Sequence, residues 1–600
     1  MTSSSVPPNT LRLICTTDLH MAIDGTRLLT AEVEEAGLAA LSPAIATARA
    51  EVAHSLLFDI GDAFQGSPLT DDLEDVATHP MQDAFNLIGY DGQTIGNHDL
   101  DFGIDALRQM QKTAVAPMVC ANLLSLEGEP FFDPYRILTI PFGDDVLRVG
   151  ITGILPPRVM RWNNHHLHKH AQMRDSTDAV RAVLPEMRAG GADIVIVLAH
   201  CGIVPLGHDD LDEQAALPIA MLDGVDAVLC GHQHRVFPGA DFPHADGIDP
   251  IHGTLAGTPA IMAGWAGQRI GVLDLSLKQD RNGWSVDSHR ASFRLPQTEP
   301  DTRISALVAP HIIRARVRLD AQISHTDRPI NTKFAAIAHS PAVRLVQAAL
   351  LAAGRRTVTT DLPMLAVASP LRCGGRAGPS GYTSIESGPL KNRAVADLCP
   401  YPNRIIAAEV TGAQMIDWLE MASLHLAHLS PQRAGQPLVN PDMPAYNFDA
   451  VLGLNYVIDP TQPYRFSVSG RLVNPEARRI TQITHNGAAL KPTDKFVVIA
   501  NSYRIAGGGN FPSMSDLNII NENIGGMGEL IAEWLRDHPN GITLPPSAWQ
   551  IRPAVPVEVS YRTGSGDPDP AEIFPHVFRP AGKTADGWFD WDVSLSAAGV

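Results

Sequence analysis

The first 270 residues contain five short apolar runs, and each run is followed by side chains of the types that bind metal ions. Amphipathic stretches separate several of the runs, which read LRLICTT, SLLFDI, YDGQTI, DIVIVLA and VDAVLC. Short buried strands that alternate with helices are typical of an α/β domain. The polar residues that follow the runs are Asp18, His20, Asp62, Asn97, His98, Asp99, His200, His232 and His234.

These polar residues predict a metal centre. The carboxyl ends of strands in an α/β sheet share one edge, and ligands bind in the crevice there. Carboxylate, amide and imidazole donors without thiolate suit Zn, Mn, Fe, Co or Mg. Seven donors exceed what one tetrahedral ion takes, so we expect two divalent ions that share a bridging carboxylate, with glycines 61, 96 and 231 forming tight turns beside them. The seven are Asp18, His20, Asp62, Asn97, His200, His232 and His234.

An isolated motif of this kind would carry little weight. A single His-x-His is more often part of a polar surface or core than of a metal site, and only the five blocks in order favour the metal interpretation. The histidine-rich stretch WNNHHLHKH, residues 162–170, follows no predicted strand. We therefore expect it to be a solvated loop.

Composition limits the partners of the chain. A formal net charge of −19 argues against a nucleic-acid polymer, because nothing would neutralise its phosphates. No stretch approaches the roughly 20 apolar residues of a membrane helix. The N-terminal residues have neither a basic segment nor an apolar segment of the kind found in signal peptides.

Six hundred residues are too many for one core, so we expect two domains of unequal size. The expected order is a first α/β domain over 1–298, a connecting helix over 299–324, a second domain over 325–560 and a tail over 561–600. Within the first domain, TPAIMAGWAGQRIGVLDLSLKQD looks like two paired strands that close the domain.

The order of motifs D-x-H, G-D, G-N-H-D, H and G-H-x-H resembles that of the calcineurin-like metallophosphatases. The later stretches YPNRIIAAEVTG, FDAVLGLNYVID and NSYRIAGGGNFP look like the C-terminal domain of the 5'-nucleotidase family. Within that family, PPRVMRWNN, GHQHRVFPG and LKNRAVADLCPYPN are similar to the bifunctional 2',3'-cyclic-nucleotide 2'-phosphodiesterase/3'-nucleotidases. The resemblance implies an α/β fold: a four-layer α/β/β/α metallophosphatase domain followed by a 5'-nucleotidase-type C-terminal α/β domain.

The resemblance also implies roles for individual residues. Asp18, His20, Asp62 and His234 would surround one metal ion, and Asp62, Asn97, His200 and His232 the other, with Asp62 as the bridge. His98 would contact the phosphate or protonate the leaving oxygen. Its orienting acid would be Asp101, three residues later, or Asp99, directly after it; we favour Asp101. Phe448 and Tyr503 would sandwich the base, in a pocket that Gly508 and Asn510 help to line.

The expected activity is the opening of 2',3'-cyclic nucleotides to 3'-nucleotides, followed by release of phosphate and nucleoside, with a metal-bridging hydroxide as the nucleophile. A 5'-nucleotidase or nucleotide-sugar hydrolase with the same metals is the first alternative. A non-catalytic nucleotide-binding protein is a more remote one. We expect a monomer that acts on small nucleotides. The resemblance implies a periplasmic location, and the lack of a recognisable signal peptide keeps a cytoplasmic location open.

Overall fold

The computed structural model describes residues 7, 9–26, 28, 36–72, 79–208, 212–280, 283–401, 403–546, 548–564 and 576–596. The chain divides into two compact units, Met1–Val317 and Arg318–Val600. The helix expected to connect the domains runs over Thr302–Asp320 and contains this boundary. No helix among the described residues is long and apolar enough to cross a membrane.

The elements of unit 1 alternate as expected for an α/β domain. Its strands are β1 (Thr10–Thr16), β2 (His54–Asp59), β3 (Gly92–Gln93), β4 (Leu123–Ser125), β5 (Tyr135–Phe142), β6 (Asp145–Ile154), β7 (Ala171–Met173), β8 (Ile194–Ala199), β9 (Ala227–Cys230), β10 (Val236–Phe237), β11 (Ile248–Asp249), β12 (Thr254–Leu255), β13 (Thr258–Ala263), β14 (Ile270–Asp280) and β15 (Gly283–Arg294). Its helices are α1 (Leu38–Ala50), α2 (Pro80–Ile88), α3 (Ile104–Thr113), α4 (Val159–Trp162), α5 (Asn164–Leu167), α6 (Ser176–Ala189), α7 (Ala216–Ala220) and α8 (Thr302–Asp320).

Two sheets form the centre of unit 1. One has the strand order β15-β14-β1-β2-β3, and the other β11-β12-β13-β9-β8-β6-β5, with β10 beside β13. A core cluster joins residues of β1 and β2, such as Leu13 and Phe58, to residues of β6 and β8, such as Ile151 and Ile196. Helix α1 contacts the first sheet, and α6 and α7 contact the second. The α/β/β/α layering is confirmed.

The expectation of two paired strands over residues 258–280 is wrong. Strand β13 runs parallel to β9 in the second sheet, whereas β14 runs antiparallel to β1 in the first. The chain crosses from one sheet to the other between them. Both segments are largely buried, because each lies in the interior of its own sheet.

Unit 2 contains the remaining elements. Its strands are β16 (Gln322–Thr326), β17 (Ile330–Asn331), β18 (Met364–Ala368), β19 (Ser384–Ile385), β20 (Gly388–Lys391), β21 (Arg404–Thr411), β22 (Gln436–Pro437), β23 (Ala450–Leu452), β24 (Asn455–Ile458), β25 (Ile480–His485), β26 (Ala488–Ala489), β27 (Lys495–Asn501), β28 (Asn518–Gly526), β29 (Trp549–Ile551), β30 (Val557–Thr563), β31 (Val577–Lys583) and β32 (Phe589–Leu595). Its helices are α9 (Pro341–Thr357), α10 (Asn392–Leu398), α11 (Gly412–Ala422), α12 (Ser502–Ile505) and α13 (Met527–Arg536).

The main sheet of unit 2 has the order β23-β18-β27-β21-β28. Helix α11 begins directly after β21, where Thr411 and Gln414 form a capping box that satisfies backbone N–H groups at the start of the helix. The segment expected to be a tail contains β31 and β32, which pair with each other and, through β32, with β30. The sequence pattern gave no sign of this sheet.

Candidate metal centre and active site

The carboxyl ends of five strands bring the predicted ligands together. Asp18, Asp62 and Asn97 follow β1, β2 and β3, which are parallel neighbours in the first sheet. His200 and His232 follow β8 and β9, which are parallel neighbours in the second. The donors therefore come from two packed sheets, whereas the sequence alone pointed to the edge of one.

Asp18, His20 and His234 form the first group of ligand atoms. His234 Nε2 lies 3.3 Å from Asp18 Oδ1 and 3.0 Å from His20 Nε2. His20 Nδ1 lies 3.0 Å from the carbonyl oxygen of Gln65. Because a carbonyl only accepts, this nitrogen carries the proton and Nε2 keeps its lone pair for a cation. Burial alone would raise the pKa of Asp18, but the adjacent His234 imidazole holds it at about 2.

Asp62, His200 and His232 form the second group, and Asn97 joins it. His200 Nε2 lies 3.3 Å from Asp62 Oδ2, and Asn97 Oδ1 lies 3.3 Å from the same nitrogen and 2.9 Å from His232 Nδ1. His200 Nδ1 donates to the carbonyl oxygen of Ile60 at 2.7 Å, so its Nε2 also faces the group with a lone pair.

Asp62 lies between the two groups. Its Oδ2 is 3.3 Å from His200 Nε2 and 3.9 Å from His20 Nε2. The carboxylate of Asp62 requires a glycine at residue 96, because a Cβ there would lie 2.1 Å from Asp62 Oδ1. The donor chemistry, the oriented imidazoles and this central carboxylate all fit divalent cations.

Five of the predicted ligands have left-handed backbone conformations. The φ angles are 50° at Asp18, 47° at His20, 55° at Asp62, 72° at His232 and 56° at His234. Residues other than glycine rarely adopt this region, and each such residue costs on the order of 1–3 kcal/mol. Strain of this kind is typical of functional sites, where the surrounding structure holds the side chains in place.

His98 lies beside the ligand groups and donates its backbone N–H to Asp62 Oδ1 at 2.8 Å. Its Nδ1 is 3.0 Å from Asp101 Oδ2. Burial alone would lower the pKa of His98, but the charge of Asp62 and the hydrogen bond to Asp101 raise it to about 9. A protonated imidazole at this place can stabilise a phosphate oxygen or give a proton to a leaving group.

The two candidate acids after His98 occupy different environments. Asp101 contacts the ring, as described. Asp99 is fully buried and accepts the backbone N–H groups of Asp62, Phe64 and Gly96 at 2.8–2.9 Å. Asp101 is therefore the acid that contacts the imidazole, and its orienting role stays a prediction, whereas Asp99 accepts backbone N–H groups from the loops that carry Asp62 and Asn97.

Sequence reasoning missed several residues around the centre. The indole of Trp265 stacks on His234 with the rings 5.2 Å apart, and that of Trp162 stacks on His232 at 5.5 Å. Glu213 Oε1 lies 3.0 Å from His232 Nε2. Trp162 was visible in the family-like stretch PPRVMRWNN, but nothing in the sequence around Glu213 marks it.

The expectation that residues 162–170 form a solvated loop is wrong for part of the stretch. Asn163 is only 2% exposed and donates to Asp101 Oδ1 at 2.7 Å. His166 Nε2 lies 3.0 Å from the carbonyl oxygen of Asp101. His168 and His170 are exposed, as expected. The stretch contains the end of α4 and all of α5, and the buried Asn163 between them contacts Asp101, which the histidine content of the stretch concealed.

In unit 2, the structure does not support a base-stacking role for Phe448. Its ring is 3% exposed and packs in the core against His425 and Trp549, with centroid distances of 5.2 Å to each. Tyr446, two residues earlier, is 36% exposed, and its ring centroid lies 6.3 Å from that of Tyr503. The partly exposed aromatic pair is therefore Tyr446 and Tyr503.

The other two predicted pocket residues, Gly508 and Asn510, follow Tyr503 closely in sequence. Gly508 is buried beneath Tyr503, since a Cβ there would lie 2.5 Å from the ring. Asn510 donates its side-chain amide to the carbonyl oxygen of Val468 at 3.2 Å. Arg504, which sequence reasoning missed, is buried and donates to the backbone oxygens of Tyr446 and Gly508, so it joins the turns that carry the two aromatic rings.

Comparisons with known proteins agree with both units. Residues 11–236 match the calcineurin-like phosphoesterase family, and residues 322–516 match the 5'-nucleotidase C-terminal domain. A 2',3'-cyclic-nucleotide 2'-phosphodiesterase/3'-nucleotidase of Salmonella typhimurium (strain LT2) is 32% identical over 96% of this chain and 94% of its own length. The chain belongs to the 5'-nucleotidase family of calcineurin-like phosphoesterases. Membership implies divalent metal ions, in agreement with the two groups of ligand atoms.

The chain is also similar to a second curated protein and to a solved structure. The trifunctional nucleotide phosphoesterase YfkN of Bacillus subtilis is 29% identical over 93% of this chain, which spans 40% of the YfkN length. The solved 5'-nucleotidase precursor of Thermus thermophilus has a TM-score of 0.60 at 20% identity, covering 90% of this chain and 99% of that one. The latter similarity concerns the fold alone.

Proposed function

We propose that this family member opens 2',3'-cyclic nucleotides to 3'-nucleotides and releases phosphate from 3'-nucleotides. The observation that carries the proposal is the placement of His98 beside Asp62, which lies between two groups of metal-ligand atoms. The Salmonella relative, which bears that activity in its name, aligns over nearly the whole of both chains.

We propose two metal sites that share Asp62. The first would be held by Asp18, His20 and His234, and the second by Asn97, His200 and His232. Divalent ions held there would neutralise charge on the phosphate oxygens and activate the attacking water. Total metal analysis of the purified protein tests the number of ions, and we expect two per chain.

His98 is the proposed proton donor. Its Nδ1–H is directed at Asp101 Oδ2, so the proton for transfer is held at Nε2. In a cyclic substrate, the bond between phosphorus and the 2' oxygen breaks and that oxygen takes the proton. In a 3'-nucleotide, the 3' oxygen takes it. The Asp101 carboxylate stabilises the charged imidazole before the transfer.

We propose that Tyr446 and Tyr503, rather than Phe448, contact the base. Both rings are partly accessible, and stacking on an aromatic ring contributes about 1–3 kcal/mol per base without selecting among bases. Such a site suits an enzyme that accepts several nucleotides.

The test is to measure phosphate and nucleoside release by the metal-loaded protein with 2',3'-cyclic AMP, 3'-AMP and 5'-AMP. We expect turnover of the first two to exceed that of 5'-AMP. Preference for 5'-AMP would instead indicate a 5'-nucleotidase, and binding without turnover of any substrate would indicate a non-catalytic protein. His98→Ala should keep its metal content and lose turnover, whereas His168→Ala, at an exposed histidine, should retain both.

A further inference from the structure

Residues of the segment 158–168 contact Asp101, and Asp101 contacts His98, the proton donor of the proposed reaction. Each oxygen of that carboxylate has its own partner: Oδ2 lies 3.0 Å from His98 Nδ1, and Oδ1 accepts the Asn163 side-chain N–H at 2.7 Å. His166 Nε2 lies 3.0 Å from the backbone carbonyl oxygen of the same aspartate. Side chain and backbone of Asp101 are therefore both held by this segment.

The second hydrogen bond matters because a carboxylate with one partner can rotate. The terminal torsion of an aspartate is broad and has no sharp minima. With Asn163 on Oδ1, the plane of the Asp101 carboxylate is set, and so is the direction in which Oδ2 meets the His98 ring. A displacement of about 1 Å at a reacting group can reduce turnover by about a hundredfold.

The same segment repeats this arrangement at a metal ligand. Arg158 donates to Glu213 Oε2 at 2.7 Å, while the other oxygen of Glu213 lies 3.0 Å from His232 Nε2. Trp162 stacks on the His232 ring beside this interaction. In both cases a carboxylate orients an imidazole with one oxygen and is itself held by the segment through the other.

We propose that Asn163 is a positioning residue for phosphoester hydrolysis, acting through Asp101 on the proton that His98 gives to the leaving oxygen. Asn163 itself would not touch the substrate. The proposal rests on the role given above to His98. It predicts that replacing Asn163 lowers kcat more for esters whose leaving oxygen must be protonated than for esters that release a stabilised anion.

The test compares esters whose leaving groups differ in that need. The substrates are 3'-AMP and glycerol 2-phosphate, which release alkoxide oxygens, and p-nitrophenyl phosphate, which releases a stabilised phenolate. For Asn163→Ala we expect kcat to fall about tenfold or more with the alkyl esters, by analogy with residues that orient metal-binding imidazoles, whose loss typically costs about 10–100-fold. With p-nitrophenyl phosphate the change should be within about twofold, and KM and metal content should stay as in the wild type.

Coupling provides the second readout. If Asn163 acts through Asp101, the double variant Asn163→Ala/Asp101→Asn should lose no more kcat than Asp101→Asn alone. Asn163→Asp keeps the side-chain size but sets two carboxylates against each other, so it should lose at least as much kcat as Asn163→Ala. Asn164→Ala, at an exposed neighbour, is the control.

Equal losses with alkyl and aryl esters, or additive losses in the double variant, would overturn the proposal. The pair of glycerol 2-phosphate and p-nitrophenyl phosphate contains no nucleoside. A wild-type protein that hydrolyses this pair but no nucleotide would therefore refute the proposed function and still permit the test of Asn163. Conversely, nucleotide hydrolysis that Asn163→Ala leaves unchanged would refute the role of Asn163 alone.

Discussion

Replacing Asp99 with asparagine should destabilise unit 1, although Asp99 does not contact the His98 ring. The buried carboxylate accepts three backbone N–H groups, those of Asp62 and Gly96 on Oδ2 and that of Phe64 on Oδ1. An asparagine can keep its oxygen toward the first two, but its amide nitrogen then faces the Phe64 N–H. The Phe64 N–H and the new side-chain N–H of the asparagine would then both be buried donors without acceptors. At about 1–3 kcal/mol each, they would lower the free energy of unfolding by about 2–6 kcal/mol.

Part of this loss is offset, because burial and the charge of Asp62 raise the pKa of Asp99 to about 7, and the variant removes that unfavourable charge. A rise of about 3 pKa units corresponds to about 4 kcal/mol, so subtracting it from the cost of two unsatisfied donors leaves a net loss of at most about 2 kcal/mol. Urea unfolding of the chelator-treated protein measures it, since bound metal would otherwise add to the stability. Amide hydrogen exchange should show the loss of protection locally, at Phe64.

Asp101→Asn is the matched comparison, since its carboxylate is partly exposed and holds only side chains. It should change stability by no more than about 1 kcal/mol, the size of an exposed ion pair, and reduce kcat by about 10–100-fold. Asp105→Asn, at an exposed position in α3, should change neither quantity. Equal stabilities of the Asp99 and Asp101 variants, or unchanged exchange at Phe64, would refute the division of roles between the two acids.

Three more predictions concern separate parts of the chain. Tyr446→Ala should weaken nucleotide binding by about 1–3 kcal/mol, seen as a higher KM for 3'-AMP, whereas Phe448→Ala should instead lower stability by about 3–5 kcal/mol. Gly96→Ala places a Cβ 2.1 Å from Asp62 Oδ1 and should abolish uptake of metal, measured by metal analysis; Gly528→Ala, where a Cβ would meet its nearest atom at 3.8 Å, should not. Burial lowers the pKa of His79 to about 3, so the unfolded chain takes up a proton below about pH 6.5 that the folded chain does not. Stability should therefore fall as pH drops from about 6.5 towards 3, and His79→Asn should reduce that slope by about 1.4 kcal/mol per pH unit between about pH 6 and pH 4 in urea titrations.

Local patterns were enough to predict the fold class and to select the candidate ligands, whereas their division into two groups came from the family resemblance. Apolar runs identify strands, and the residue after a run lies at a sheet end, so Asp62 and His200 could be placed together without coordinates. The pairing of strands is not local, which explains why β13 and β14 were expected to pair and instead lie in different sheets.

Errors about single side chains have a different origin. Phe448 and Tyr446 are two residues apart in one motif, and only packing decides which ring is buried and which is accessible. Asn163 and Glu213 act through carboxylate and imidazole partners that are distant in sequence, so neither spacing nor composition marks them. Residues that contact other functional residues, rather than ligands, are the ones that a single sequence conceals.

Two glycines beside the predicted metal ligands are required for different reasons, one for its backbone conformation and the other for lack of space. Gly61 has a φ of 90°, as a tight turn predicts, but Gly96 has an ordinary backbone and is needed because a Cβ would meet Asp62. Left-handed conformations also occur at predicted ligands such as Asp18 and His234. A glycine would adopt those angles without strain, but it has no side chain to bind a cation. Relieving the strain would therefore remove a ligand, so at these positions folding stability and metal binding cannot both be improved by substitution.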